Sequence, residues 1–119
     1  MNARLHIQVM VLLAAVFLGT SGCVYYNTFY NARKRYEEAD RKRLEMEESA
    51  PGGRRDARAV YSYRDLYMKA ITKASVVLDR HPKSKWVDDS LLLIGKSFYW
   101  RGVYSEALVK FEELQQNFP

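Results

Sequence analysis

Apolar residues recur every three or four positions through most of this 119-residue chain, and no stretch shows the sustained alternation of a half-buried strand. This spacing predicts an all-α fold. Prolines stand only at positions 51, 82 and 119, and together with the pair Gly52-Gly53 they interrupt the helical pattern. A charged helix is therefore predicted over residues 23–48, followed by a loop over 49–56 and a helical domain over 57–119.

Capping residues predict two of the helix boundaries. Asp56 can accept hydrogen bonds from the free N–H groups of a helix that starts at Ala57. That helix must stop near Arg80, because Pro82 pushes the residue before it out of the helical region. Ser84 is the expected cap of a third helix.

A short turn is predicted between the last two helices. Gly102 can adopt the left-handed conformation that ends a helix, and the fourth helix begins at about Tyr104. A turn this short makes the two helices antiparallel neighbours. The predicted apolar face of the fourth helix consists of Tyr104, Ala107, Leu108, Phe111, Leu114 and Phe118.

The N-terminal segment has the layout of a secretory signal. Arg4 gives it a basic start, an apolar core runs from about Ile7 to Leu18, and small residues precede Cys23, which is the one cysteine in the chain. The apolar core is about twelve residues long, whereas a membrane-spanning helix needs about twenty. A permanent transmembrane helix is therefore the weaker interpretation.

The sequence Ser21-Gly22-Cys23 resembles the processing site of a bacterial lipoprotein. The resemblance implies a signal peptide over residues 1–22, acylation of Cys23 and a lipid anchor in the bacterial envelope. Because Val24 rather than Asp follows the cysteine, it also implies transfer to the periplasmic face of the outer membrane. The alternative is an ordinary signal peptide followed by an unpaired thiol.

The last two predicted helices resemble a tetratricopeptide repeat, which is marked by W-x2-L-G-x2-Y, then A-x3-F, then P. The corresponding marks here are Leu91-x2-Ile94-Gly95-x2-Phe98, Ala107-x3-Phe111 and Pro119. Gly95 and Ala107 would let the helices approach closely, while Phe98 and Phe111 fill the space around them. The resemblance implies a tetratricopeptide-like α-solenoid of antiparallel helical hairpins.

Fainter repeats of the second-helix marks occur earlier in the chain. Ala70-x3-Ala74 stands before Pro82, and Ala32-x3-Tyr36 stands in the first helix with no partner helix ahead of it. We therefore expect half of the earlier unit to be missing or remodelled.

Residues 81–90, with the sequence HPKSKWVDDS, resemble the junction in an envelope subgroup of these repeat proteins. The subgroup includes the lipoprotein subunit of the outer-membrane β-barrel assembly machinery (BamD-like) and the periplasmic coordinator of the Tol–Pal system with cell division. A lipoprotein signal favours the BamD-like branch. The resemblance implies a scaffold that binds other envelope proteins in outer-membrane protein assembly. The alternatives are a coordinator of cell-wall remodelling or division, and an activating subunit of an envelope enzyme.

The first helices of such repeats line a concave surface that binds a segment of another protein. By resemblance, that surface would include Asp89, Lys96, Tyr99 and Trp100. Packing against the neighbouring repeat is the alternative role for Tyr99 and Trp100. Simple solvation is the alternative for Asp89 and Lys96.

Neither catalysis nor a cofactor is predicted. His81 abuts Pro82 at a helix end, and no serine or carboxylate pair stands near it at a catalytic spacing. One histidine and an acylated thiol do not make a metal site. The net charge of +5 suits an acidic partner or lipid headgroups, whereas a secreted protein is not expected to bind nucleic acid. The basic cluster Arg54, Arg55 and Arg58 could contact anionic headgroups.

The sequence ends at the proline that closes a repeat, directly after an apolar helix. Solenoids need a polar capping helix for solubility. We therefore expect either that the protein continues beyond Pro119 or that another chain covers the last helix.

Overall fold

A computed structural model describes the backbone of residues 2–50, 52–53 and 55–119, and the side chains of these residues except 16–25. The predicted lipidation of Cys23 therefore falls on a side chain outside the described residues, as does Arg54. The described residues form four α-helices and no strand: α1 (Asn2–Ser49), α2 (Ala57–Arg80), α3 (Val87–Trp100) and α4 (Tyr104–Asn117). The predicted all-α class is confirmed. In the searched part of the chain, no helix has an apolar run long enough to span a bilayer.

The second half of α1 packs antiparallel to α2. Met46 lies near Ala59 at one end of the pair, and the hydroxyl of Tyr67 donates to the carboxylate of Asp40 further along. The marks at Ala32 and Tyr36 predicted a helix with no partner helix ahead of it. Among the described residues no helix precedes α1, and its partner is α2, which follows it in the chain and completes the first hairpin.

Helix α3 packs against α2 beside α1 and runs parallel to α1. Three contacts follow one another in the same order along both helices: Phe29 with Trp86, Tyr36 with Lys96, and Arg43 with Trp100. Helix α2 is therefore covered by α1 and α3, while α4 packs against α3 alone among the described helices. This packing order is consistent with a helical repeat, in which each helix contacts its neighbours along the stack.

The core lies where α1, α2 and α3 meet. Helical spacing puts one apolar stripe of each helix on the inside, and burying those stripes is the main source of stability for such a packing. The buried apolar side chains of these three helices are Phe29, Ala32, Tyr36, Ala39, Met46, Tyr63, Leu66, Tyr67, Ala70, Ile71, Ala74, Val77, Leu91, Leu93 and Ile94.

The predicted caps give a mixed result. Asp56 caps α2 as expected, since its carboxylate accepts a hydrogen bond from the backbone N–H of Arg58 at 3.0 Å. Ser84 does not cap α3. Its hydroxyl accepts from the N–H of Trp86 at 3.2 Å, within the turn, and the helix begins only at Val87.

The apolar face predicted for α4 is only partly buried. Ala107 is buried against α3, but Tyr104, Leu108 and Phe118 are exposed. Among the described helices α4 contacts α3 alone, so only one side of its apolar stripe is covered and the rest of the predicted face is exposed. Gly102 has a φ of +78°, the left-handed conformation expected of it at the turn before α4.

Candidate partner-binding groove

A depression of about 400 Å³ lies between the parallel helices α1 and α3. Its apolar surface comes from both helices and from the turn that precedes α3. Its two walls each carry one acidic and one basic side chain. The lining residues are Phe29, Arg33, Tyr36, Glu37, Trp86, Asp89, Leu92, Leu93 and Lys96. We call this depression the α1–α3 groove.

The α1 wall carries an exposed ion pair. Arg33 donates from Nε to the carboxylate of Glu37 at 2.8 Å, one helical turn away, and both side chains are more than half exposed. Such a pair adds little to stability because both charges remain solvated. Both charged groups therefore remain accessible to solvent on the α1 wall.

The α3 wall presents Asp89 and Lys96, two of the four residues that the tetratricopeptide resemblance assigned to a binding surface. The ammonium group of Lys96 lies 4.8 Å from the ring centroid of Tyr36, so this lysine bridges the groove to α1. Partial burial, followed by repulsion from Asp88, raises the pKa of Asp89, and the positive charge of Arg33 acts in the opposite direction. Asp89 therefore interacts electrostatically with the α1 wall.

Tyr99 and Trp100, the other two predicted binding residues, lie at the far end of α3. They line a separate depression of about 270 Å³ beside Arg43 and Tyr104. Tyr99 is about half exposed and makes edge contacts with Trp100 and Tyr104, with centroids 5.0 and 5.5 Å apart. Trp100 is half-buried, and the guanidinium carbon of Arg43 lies 3.6 Å above its ring. The four predicted residues are thus divided between two places.

A partly buried polar network joins α1 to α2, and its arginine covers Trp100 of α3. Arg43 donates from Nη2 to Asp40 at 2.9 Å, from Nε to the hydroxyl of Tyr67 at 3.2 Å, and from Nη1 to both carboxylate oxygens of Glu47 at 3.0 and 3.1 Å. The Tyr67 hydroxyl in turn donates to Asp40 at 2.7 Å. We call Asp40, Arg43, Glu47 and Tyr67 the Arg43 network.

This network changes the acidity of its members. Burial, and then the hydrogen bond to Asp40, raise the pKa of Tyr67 well above its ordinary value. Burial alone would raise the pKa of Asp40, but the hydrogen bonds from Tyr67 and Arg43 outweigh it and lower that pKa below its ordinary value. Asp40 is therefore held as a carboxylate and Tyr67 as a neutral hydroxyl donor.

Acid should weaken this network. The pKa of Asp40 is lower in the folded protein than in the unfolded chain, so the stabilisation is present above the unfolded value of about 3.9 and is lost as the pH falls through the folded value. We expect the stability difference between the wild type and Asp40→Asn to shrink from pH 7 to pH 3, as measured by urea unfolding.

The matched control for that experiment is Asp65→Asn. Asp65 forms an exposed ion pair with Lys69 at 2.8 Å, so its replacement should change stability little at either pH. A stability difference between the wild type and Asp40→Asn that stays constant with pH would contradict the expected role of the Asp40 carboxylate.

Sequence reasoning missed the α1 wall of the groove and the Arg43 network. A signal was present for the network, because Arg43 and Met46 continue the stripe of Ala32, Tyr36 and Ala39 at helical spacing. The uninterrupted apolar part of that stripe ends at Ala39, beyond which charged residues dominate the sequence. The α1 wall had no comparable signal, since it depends on which helix lies beside α3.

Comparison with known proteins adds no relative: no protein-family model matches the chain, and neither the curated proteins nor the solved structures contain a match.

Proposed function

We propose that this protein is a lipid-anchored scaffold of the bacterial envelope that binds a segment of a partner protein in the α1–α3 groove. The observation that carries the proposal is the groove itself. Its apolar centre and its two walls, each with one acid and one base, suit a peptide better than a small polar molecule. The protein acts by binding and not as an enzyme.

The packing of the helices supports a repeat-type binding surface. In stacked helical hairpins, the first helices of successive units lie side by side and line the concave face. Helices α1 and α3 are the first helices of their hairpins, they run parallel, and they line the groove together. The tetratricopeptide-like character of the fold belongs to this proposal and rests on the marks from Leu91 to Pro119.

Membrane attachment through Cys23 is the second part of the proposal, and it rests on the signal sequence. We expect the protein to incorporate an alkyne-labelled fatty acid in growing bacteria. The Cys23→Ser variant should incorporate none and should leave the outer-membrane fraction. Equal labelling of the variant would contradict acylation at this residue.

From the BamD-like resemblance, we propose that the scaffold works in the complex that assembles outer-membrane β-barrel proteins. A photocrosslinking residue in place of Leu92, which is 42% exposed on the groove, should capture the partner in intact envelopes. The same residue in place of Thr72, an exposed position on α2, is the control and should capture little. Mass spectrometry then identifies the captured protein.

The captured proteins decide between the candidate roles. Assembly factors and β-barrel proteins would support the proposed role. Cell-wall or division proteins alone would favour the coordinator, and a captured enzyme whose rate rises on mixing would favour the activating subunit. Equal capture from Leu92 and Thr72 would contradict the use of the groove.

Charge reversal in the groove should weaken capture. Arg33→Glu removes the basic group of the α1 wall and should reduce the Leu92 crosslink about tenfold, the usual order for a loss of one charge contact to a peptide. Arg41→Glu is the control, because Arg41 is equally exposed on the same helix but lies outside the groove. Far-UV circular dichroism should be unchanged in both variants.

A further inference from the structure

Aromatic side chains gather at the end of the domain that follows the predicted anchor. The rings of Tyr26 and Tyr30 stack with centroids 5.9 Å apart. Trp86, from the turn between α2 and α3, lies 5.8 Å from Tyr26 and stacks on Phe29 at 5.1 Å with the ring planes 12° apart. We call Tyr26, Phe29, Tyr30 and Trp86 the aromatic cluster.

The cluster is buried on one side only. Phe29 is 8% exposed and belongs to the core, whereas Tyr26 and Tyr30 are 53% and 46% exposed. Core packing explains Phe29 but leaves the two tyrosines with large free surfaces. Tyrosine and tryptophan, which combine an apolar ring with a polar tip, are the residues enriched where a protein meets lipid headgroups.

Basic side chains accompany the cluster. The ammonium group of Lys85 lies 5.0 Å from the Trp86 ring centroid, and Lys83 is exposed in the same turn. Neither lysine forms an ion pair with another described residue. Exposed lysines beside aromatic rings are suited to anionic headgroups, because the ammonium reaches the phosphate while the carbon stem covers apolar surface.

The cluster follows directly after Cys23 along α1. At about 1.5 Å per residue, Tyr26 lies about 5 Å beyond Cys23 along the helix axis, within a headgroup layer of about 5–8 Å, and Tyr30 lies about 10 Å beyond it, just outside that layer. The end of α1 at Ser49 is about 39 Å from Cys23 by the same measure. Arg55 and Arg58, which the sequence suggested as headgroup contacts, follow that distant end.

We propose that the aromatic cluster, together with Lys83 and Lys85, docks the domain on a bilayer surface that contains anionic lipids. This inference rests on the membrane anchor in the proposed function. Docking orients the domain so that α1 leads away from the membrane and Arg55 and Arg58 lie in the aqueous space. The α1–α3 groove, whose lining includes Phe29 and Trp86, then opens beside the membrane surface.

The two tryptophans allow the orientation to be measured within one protein. Trp100 lies 14 residues after Trp86, about 21 Å further along α3. The full protein is extracted from envelopes and reconstituted into vesicles that contain phosphatidylglycerol and lipids with spin-labelled headgroups. In the Trp100→Phe variant, Trp86 is the one remaining tryptophan. Headgroup labels should quench roughly half of its fluorescence, since an interfacial ring lies at the depth of the headgroups. In the Trp86→Phe variant, Trp100 should be quenched little.

Charge variants separate the two ends of the domain. Lys83→Glu combined with Lys85→Glu should lower the quenching of Trp86 about twofold or more in these vesicles, because attraction to the anionic surface is lost. Arg55→Glu combined with Arg58→Glu is the matched control at the distant end and should leave the quenching unchanged. Vesicles of phosphatidylcholine alone should show a smaller effect of the lysine changes.

Flotation of the vesicles on a density gradient measures anchoring independently of docking. A protein that floats while Trp86 is quenched no more than Trp100 would overturn the docking inference and leave the anchor intact. An equal loss of quenching in the arginine variant would overturn the assigned orientation. A protein that does not float would overturn both anchoring and docking. It would not overturn the groove proposal, which is tested separately by the crosslinks from Leu92.

Discussion

Replacing Arg43 with alanine is expected to lower the free energy of unfolding by roughly 3 kcal/mol, the order found when one member of a buried ionic network is removed. Arg43 is only 7% exposed. Its guanidinium donates to Tyr67 on α2, donates to Asp40 and Glu47 on its own helix and covers the ring of Trp100 on α3. The substitution therefore removes one hydrogen bond between helices, two contacts within α1 and packing against α3. Urea unfolding followed by far-UV circular dichroism measures the effect.

Arg41→Ala is the matched control for this prediction. Arg41 lies two positions away on the same helix, and its contact with Glu45 spans 3.8 Å between two side chains that are about two-thirds exposed. Its loss should cost less than about 0.5 kcal/mol. If both substitutions had the same small effect, the Arg43 network would not hold α1 against α2 and α3.

Arg43→Met separates packing from charge. Methionine restores much of the apolar volume, and Tyr67 can still donate to Asp40. This variant should therefore recover part of the stability lost in Arg43→Ala. Combining Arg43→Met with Asp40→Asn should cost less than the sum of the two single changes, because residues of one network are energetically coupled.

The parts of the fold that follow from the sequence are those with local causes. The cap at Asp56 and the break before Pro82 bound α2, and the left-handed Gly102 ends the turn before α4. Each boundary depends on residues within one turn of it. Ser84 misled the prediction because its hydroxyl bonds within the turn, an alternative that a capping residue always has.

Features that depend on distant neighbours could not be predicted in the same way. The burial of Arg43 requires Tyr67 and Trp100, which stand 24 and 57 positions later in the chain. The exposure of Tyr104 and Leu108 depends on α4 having one neighbour instead of two. A helical stripe reports which side chains face inwards, but it does not report how many helices cover that side.

The candidate site illustrates the same division. Asp89 and Lys96, which the tetratricopeptide resemblance assigned to a binding surface, are seven positions apart on α3 and both line the α1–α3 groove. Trp100 follows four positions after Lys96, about one helical turn further on, but it lies at the end of the helix, under Arg43. The opposite wall comes from α1, which the sequence assigned to an unpaired unit.

The contact between Gly95 and Phe111 leads to the second large effect. A Cβ atom at Gly95 would lie 2.6 Å from Cε1 and 2.8 Å from Cδ1 of the Phe111 ring, closer than carbon atoms approach. The close approach predicted at Gly95 is therefore confirmed. Helix α4 packs only against α3 among the described helices, so a displaced Phe111 has no second contact surface to hold it.

Gly95→Val should destabilise the protein by about 3 kcal/mol, at the upper end of the range for overpacking, and should release α4 first. Hydrogen exchange of the α4 amides measures this release, and urea unfolding measures the total loss of stability.

Gly95→Ala should cost less, because the half-buried ring of Phe111 can shift and alanine recovers about 1 kcal/mol of helix propensity. Leu92→Val, at an exposed position of α3, controls for β-branching, and Phe111→Leu should relieve part of the clash. Unchanged protection of α4 in Gly95→Val would mean that Phe111 does not hold this helix in place.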